Sequence, residues 1–132
     1  RQRQMCIRDS LTLEEVLRIR RAALPGTSPL LGRTLQEYGT VLMSLGAYGE
    51  AEEVLLEAVT VLAAPPISHE LWLGRAEVTL ARCLLHNGRT VEGHAALRQG
   101  AARLENTPGA TPADLEVARQ RMGEIDGATQ ER

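Results

Sequence analysis

Residues 28–64 read SPLLGRTLQEYGTVLMSLGAYGEAEEVLLEAVTVLAA, and this stretch decides the fold. Ser28 offers a helix N-cap, and Pro29 takes the first helical position, where its missing N–H costs nothing. Apolar residues then return at Leu31, Leu35, Tyr38, Leu42 and Leu45, the three-to-four spacing that lines one face of a helix. Gly46 is placed to end that helix in the left-handed conformation. A second helix is predicted from Tyr48 to Ala63, with Ala51, Val54, Leu55, Ala58, Val59 and Leu62 inward. On it Glu50, Glu52, Glu53 and Glu57 point to solvent, and Pro65-Pro66 stops it.

The same unit recurs 42 residues further on. Leu31-Gly32-Arg33 falls on Leu73-Gly74-Arg75, Leu42 on Leu84, Gly46 on Gly88, Leu55 on Leu97 and Leu62 on Leu104. One step upstream, Leu13, Val16 and Ile19 fall on Leu55, Ala58 and Val61; one step downstream, Leu115, Ala118 and Met122 fall on Leu73, Ala76 and Leu80. Such self-similarity is the signature of stacked supersecondary units. Writing A and B for the helices of a unit, the chain reads B, A–B, A–B, A: helix B of a truncated unit over 11–25, full units over 28–64 and 68–105, and a final helix A or cap over 111–126. The second unit starts at Ser68, turns at Asn87-Gly88 and continues from Thr90 to Leu104. Thr111-Pro112-Ala113-Asp114 opens the last helix with a cap, a proline and an acidic first turn. Residues 127–132 are expected to be a frayed tail.

Composition agrees with helix. The 132 residues are 43% hydrophobic and 24% charged, with no Phe, one Trp and two Tyr, so Leu and Ala supply the apolar bulk. All fifteen basic residues are arginine, the usage of a GC-rich genome, and without lysine there is no P-loop lysine or Schiff-base lysine. A net charge of −2 gives no basic field for nucleic acid, and no apolar run is long enough to span a bilayer. Two cysteines, Cys6 and Cys83, are no disulfide framework, and a bacterial cytoplasm is the expected compartment. Residues 1–10 fit nothing that follows. Met5 to Ser10 resembles translated sequencing-adapter read-through, so this segment is expected to be non-native and disordered.

Leu35, Tyr38, Gly39, Leu42, Gly46, Tyr48, Ala51, Leu55 and Ala58 resemble the tetratricopeptide signature at its internal spacings. The longer period is similar to that of kinesin light chains. The resemblance implies an all-α fold of antiparallel hairpins stacked in a right-handed superhelix, and a scaffold that binds a protein or peptide. It also implies a concave groove lined by the first helix of each unit: Arg33, Gln36, Thr40 and Met43, then Arg75, Val78, Arg82 and Leu85. Arginine forks there favour an acidic ligand. The set departs from the lysine- and asparagine-based carboxylate clamp of chaperone-binding members. The run Glu14 to Pro25 resembles the seams of arrays that follow bacterial serine/threonine kinase domains, so a regulatory kinase tail is the alternative function and a structural spacer a third. The second unit departs from the signature: Glu77 stands for Leu35, Thr90 for Tyr48, Gly93 for Ala51 and Gly100 for Ala58. Two glycines within one helix cost roughly 1 kcal/mol each against alanine, so that helix is expected to be the weakest full one.

No catalytic site, cofactor or metal is expected. Cys83 and His86 lie three apart with His94 beyond a turn, but no fourth ligand is evident, and packing and surface roles fit them better. His69-Glu70 sits at a helix start, where the carboxylate complements the dipole. No nucleophile–base set or glycine-rich phosphate loop is present.

Overall fold

A computed structural model describes residues 2–64 and 69–130. Those residues form six helices and no strand: α1 Gln2–Ala23, α2 Pro29–Ser44, α3 Tyr48–Leu62, α4 Glu70–His86, α5 Thr90–Glu105 and α6 Pro112–Gln130. Each helix packs on the next in sequence, and α2 also meets α4. None of the described helices is long and apolar enough to cross a membrane.

The 42-residue spacing reappears in the way helices end. After α2, Gly46 takes a φ of 78°; its N–H bonds the Met43 carbonyl at 3.1 Å and the Ala47 N–H bonds that of Leu42 at 2.9 Å. After α4, Gly88 takes 82°, with Gly88 bonded to Leu85 at 3.2 Å and Arg89 to Leu84 at 2.9 Å. Both are the paired bonds of a left-handed helix stop, which only a residue without a Cβ enters freely. The two hairpins α2–α3 and α4–α5 therefore turn in the same way.

Inside the first hairpin, a Cβ on Gly39 would stand 2.5 Å from the Leu55 side chain, and one on Gly32 would stand 2.6 Å from that of Leu62. The helices cross so closely that only glycine fits, and Leu35, Leu55, Ala51 and Ala58 are fully buried there. Each such leucine contributes roughly 1.5–3 kcal/mol by leaving water. The core divides at α4. One cluster runs from Leu17 of α1 through α2 and α3 to Leu73, Ala76, Leu80 and Cys83; the other joins Val78 and Ala81 to Leu97, Leu104 and Ala118.

Several expectations are corrected. Val61 is buried, while Val54 and Val59 are only partly so. Glu52 does not face solvent: its side chain is 13% exposed and receives Arg89 at 3.2 Å, because the α4–α5 turn folds over it. Ser28 holds the N-cap position without a side-chain bond. His69 holds that position for α4; Ser68 and Pro65-Pro66 lie outside the described residues. Helix α1 runs unbroken from Gln2 through the segment read as foreign and disordered, with Met5 and Ile7 exposed. Helix α6 continues to Gln130, through Gly127, which adopts no positive φ and so does not stop it.

Candidate protein-binding groove

The groove is built where the start of α4 meets α2. Trp72 sits in the first turn of α4, with the Arg33 guanidinium 4.2 Å from its ring centre and that of Arg75 4.8 Å away. The ring quadrupole attracts both cations. Arg33 and Arg75 are repeat equivalents, and one indole brings them together. Arg75 is also held by Asp114 of α6, its Nε donating to Oδ1 at 3.0 Å and its Nη2 to Oδ2 at 2.9 Å. Asp114 closes a reciprocal cap as well: the Thr111 N–H and hydroxyl both donate to it at 2.9 Å, and its own N–H donates to the Thr111 hydroxyl at 3.2 Å. Burial pushes the Asp114 carboxyl up, but the bonds from Arg75 and Thr111 outweigh it and hold the group below its ordinary range.

Beside Trp72 a cavity of about 560 Å³ opens between α1, α2 and α4. Leu13, Val41 and Trp72 give it apolar walls. Gln36 is buried at 8% exposure and donates to Thr40 at 3.1 Å, and both line it. Asp9 and Glu37 add two carboxylates that have no ion-pair partner among the described residues.

The eight groove residues read from the sequence do not form one surface. Gln36, Thr40 and Arg75 line the cavity, and Arg33 stands exposed beside it. Met43 and Val78 are buried at 7% and 5%, a correction with a simple cause. Ten residues at 100° each leave Met43 turned roughly 80° from Arg33, toward the helix crossing. Val78 packs where a Cβ on Gly100 would be. Arg82 and Leu85 lie at a separate cavity of about 230 Å³, with His86 and Arg121.

Elsewhere, the Cys83 thiol donates to the Tyr48 carbonyl at 3.0 Å, and burial pushes its pKa up. His86 stacks flat on the Tyr48 ring at 4.3 Å. Among the described residues no group of three or more His, Cys, Asp or Glu converges as metal ligands do. Glu77, at 4% exposure, receives the Arg103 Nε at 2.5 Å, while Arg103 Nη1 donates to Glu70 at 2.6 Å. Burial pushes the Glu77 carboxyl up, and Arg103 opposes that rise.

Sequence reading missed Trp72 and the Arg75–Asp114 pair. The signals were present: Trp72 precedes Arg75 by three residues on one helix face, and Asp114 is its repeat equivalent. No protein-family model, curated protein or solved structure matches the chain.

Proposed function

We propose that this chain is a tetratricopeptide-like repeat array whose α1–α2–α4 face binds a segment of another protein. The observation that carries the reading is Trp72, set between two repeat-equivalent arginines at the mouth of an apolar cavity. Tryptophan and arginine dominate the energetics of protein interfaces, and a half-buried indole beside an apolar hollow is a natural anchor. The repeated hairpin with its repeated glycine stops supports the solenoid, since such stacks present extended surfaces rather than enclosed sites. The two arginines serve different ends. Asp114 fills the fork of Arg75, whereas Arg33 has no ion-pair or hydrogen-bond partner among the described residues and is where a ligand carboxylate would settle.

Trp72 is the only tryptophan, so its emission reports on this site alone. Peptides selected from a random display library against the chain should shift that emission on titration. Trp72→Ala, checked for unchanged helix content, should abolish their binding. Selected peptides that bind Trp72→Ala as tightly as the parent would refute the groove.

A further inference from the structure

We infer that the cavity between α4 and α6 is a binding site for a phosphoryl group, held by Arg82, His86 and Arg121. The inference stands on that cavity and on a comparison of repeat equivalents, and it does not need a ligand at Trp72.

The comparison is with the same place one repeat earlier. Arg82, Leu85, His86 and Arg121 line the cavity, and 42 residues before them stand Thr40, Met43, Ser44 and Thr79. Those four carry no charge, and their hydroxyls turn back on their own helices. Ser44 donates to the Thr40 carbonyl at 3.3 Å, Thr40 to that of Gln36 at 3.0 Å and Thr79 to that of Arg75 at 2.9 Å. The fold therefore does not require cations there. The second junction gathers three basic groups instead and gives them little to bond. The Arg82 and His86 side chains have no ion-pair or hydrogen-bond partner among the described residues, and the Arg82 Nε is shut off from water as well. A buried donor without an acceptor is costly, so the guanidinium gains by swinging onto one that enters the cavity. Arg121 is engaged by Glu124 at 3.3 Å, three residues on along its own helix and largely in solvent, a kind of pair that yields readily.

Geometry and size describe the occupant. Arg82 and His86 lie four apart on α4 and so share a face, and the imidazole is held flat against the Tyr48 ring at 4.3 Å. Arg121 comes from α6, so the donors converge from two helices. The face of α6 that matches the α5-facing Val78 and Ala81 of α4 carries Gln120 and Gly123, so a helix stacked on α6 as α5 is on α4 would leave the cavity open. The cavity, about 230 Å³, is smaller than the roughly 300–1,000 Å³ that encloses a drug-sized ligand, so its occupant is a compact anion. A carboxylate would fill one guanidinium fork. A phosphoryl group carries a charge of about −1.5 to −2 and three acceptor oxygens, one for each basic side chain.

The probe is inorganic phosphate, titrated into the full chain at constant ionic strength and followed by calorimetry and by the arginine Nε–H resonances. The Arg82 Nε–H signal should shift to saturation, and phosphate should raise the melting temperature more than chloride does. Arg82→Thr and His86→Ser install the residues of the first junction, which the fold accepts there, and should weaken phosphate about tenfold and about threefold. Arg82→Lys, which keeps the charge and loses the planar fork, should fall between Arg82→Thr and the parent. Arg98→Gln, which removes an equal charge from an exposed place on α5, should leave affinity within about twofold. A short alanine peptide with one phosphoserine identifies the source of the group. Binding about tenfold tighter than inorganic phosphate would mean that it arrives on a protein segment, and equal or weaker binding that it arrives free. Failure of both phosphate and the peptide to bind, binding that Arg82→Thr leaves unchanged, an equal loss with Arg98→Gln, or acetate bound as tightly as phosphate would each overturn the inference.

Discussion

At the first junction between hairpins Arg33 meets an aromatic ring; at the second, its equivalent Arg75 meets a carboxylate in the same place. Trp72 and Asp114 are repeat equivalents, so the joint keeps its arginine and changes what the arginine touches. The hairpins differ in the same manner. In the first, Leu35 and Val61 close an apolar interface; in the second, Glu77 and Arg103 hold those positions as an ion pair whose carboxylate is buried and whose guanidinium is part-buried. Backbone geometry is thus set by glycines and leucines at a few crossings, while the surrounding chemistry is free to change from apolar to ionic. That freedom has an energetic consequence, since burying charges costs several kcal/mol per ion before their attraction returns it.

The largest effect is expected at the α2–α3 crossing of the first hairpin. Ala51 is fully buried, and Ala51→Glu would place an uncompensated charge there or force α2 and α3 apart. A loss of about 3 kcal/mol or more is expected, enough to unfold a marginally stable fold. Glu53→Ala, two residues away and exposed, should change stability by a few tenths at most. Similar denaturation midpoints for the two variants would show that α3 does not present this face to α2.

The ionic crossing offers the next test. Arg103→Val removes the cation from Glu77 and should cost about 3 kcal/mol, because a buried carboxylate is left alone. Adding Glu77→Leu recreates the residue pair of the first hairpin, and the double variant should equal or exceed the parent by about 1–3 kcal/mol. If the double variant stays as weak as Arg103→Val, the two hairpins are not interchangeable at this layer.

Glycine separates the hairpins on a finer scale. By helix propensity Gly93 and Gly100 weaken α5, yet a Cβ on Gly100 would stand 2.9 Å from that of Glu77 and 3.0 Å from the Val78 nitrogen. Backbone cannot yield as a side-chain tip can, so Gly100→Ala should destabilise by about 1–2 kcal/mol despite its better helix propensity. Gly123→Ala, with nothing within 4 Å, should instead stabilise by up to about 1 kcal/mol. Thermal melts of the two variants that shift in the same direction would contradict this contrast.

Helix number, turn positions and most of the core were legible because periodicity, proline and glycine act locally, as the matched stops at Gly46 and Gly88 show. The burial of Glu52 was not, because its partner Arg89 comes from the next unit and no local pattern encodes it, whereas the Arg75–Asp114 pair shows only when the repeat is followed from Trp72 to Asp114. Met43 and Val78 were misplaced for a related reason. A groove copied position by position ignores which neighbour each helix crosses: Met43 is turned toward the α2 crossing and Val78 packs at Gly100 of α5.

The smallest effect concerns protons, and it distinguishes the two joints most directly. Asp114 is held below its ordinary range in the folded chain, so its contribution is fully present above the unfolded value of about 3.9 and is lost as pH falls through the lower, folded one. At neutral pH Asp114→Asn should cost about 1 kcal/mol, the scale of a charged hydrogen bond exchanged for a neutral one. That difference should shrink toward zero as the medium is acidified below the unfolded value, because protonation of Asp114 in the parent has the same effect as the amide. Glu77 moves with the opposite sign: its raised carboxyl makes ionisation unfavourable to folding, so stability from that group rises as pH falls. Being present in both proteins, it cancels in the difference. Arg33→Ala, which removes a cation from an uncharged ring, should show a deficit that is flat across the same range. Urea midpoints for the three proteins, taken in steps from neutral pH to well below the carboxylate range, provide the measurement. A flat Asp114→Asn difference would mean that the second joint does not depend on an ionised carboxylate, and that both joints work through shape alone.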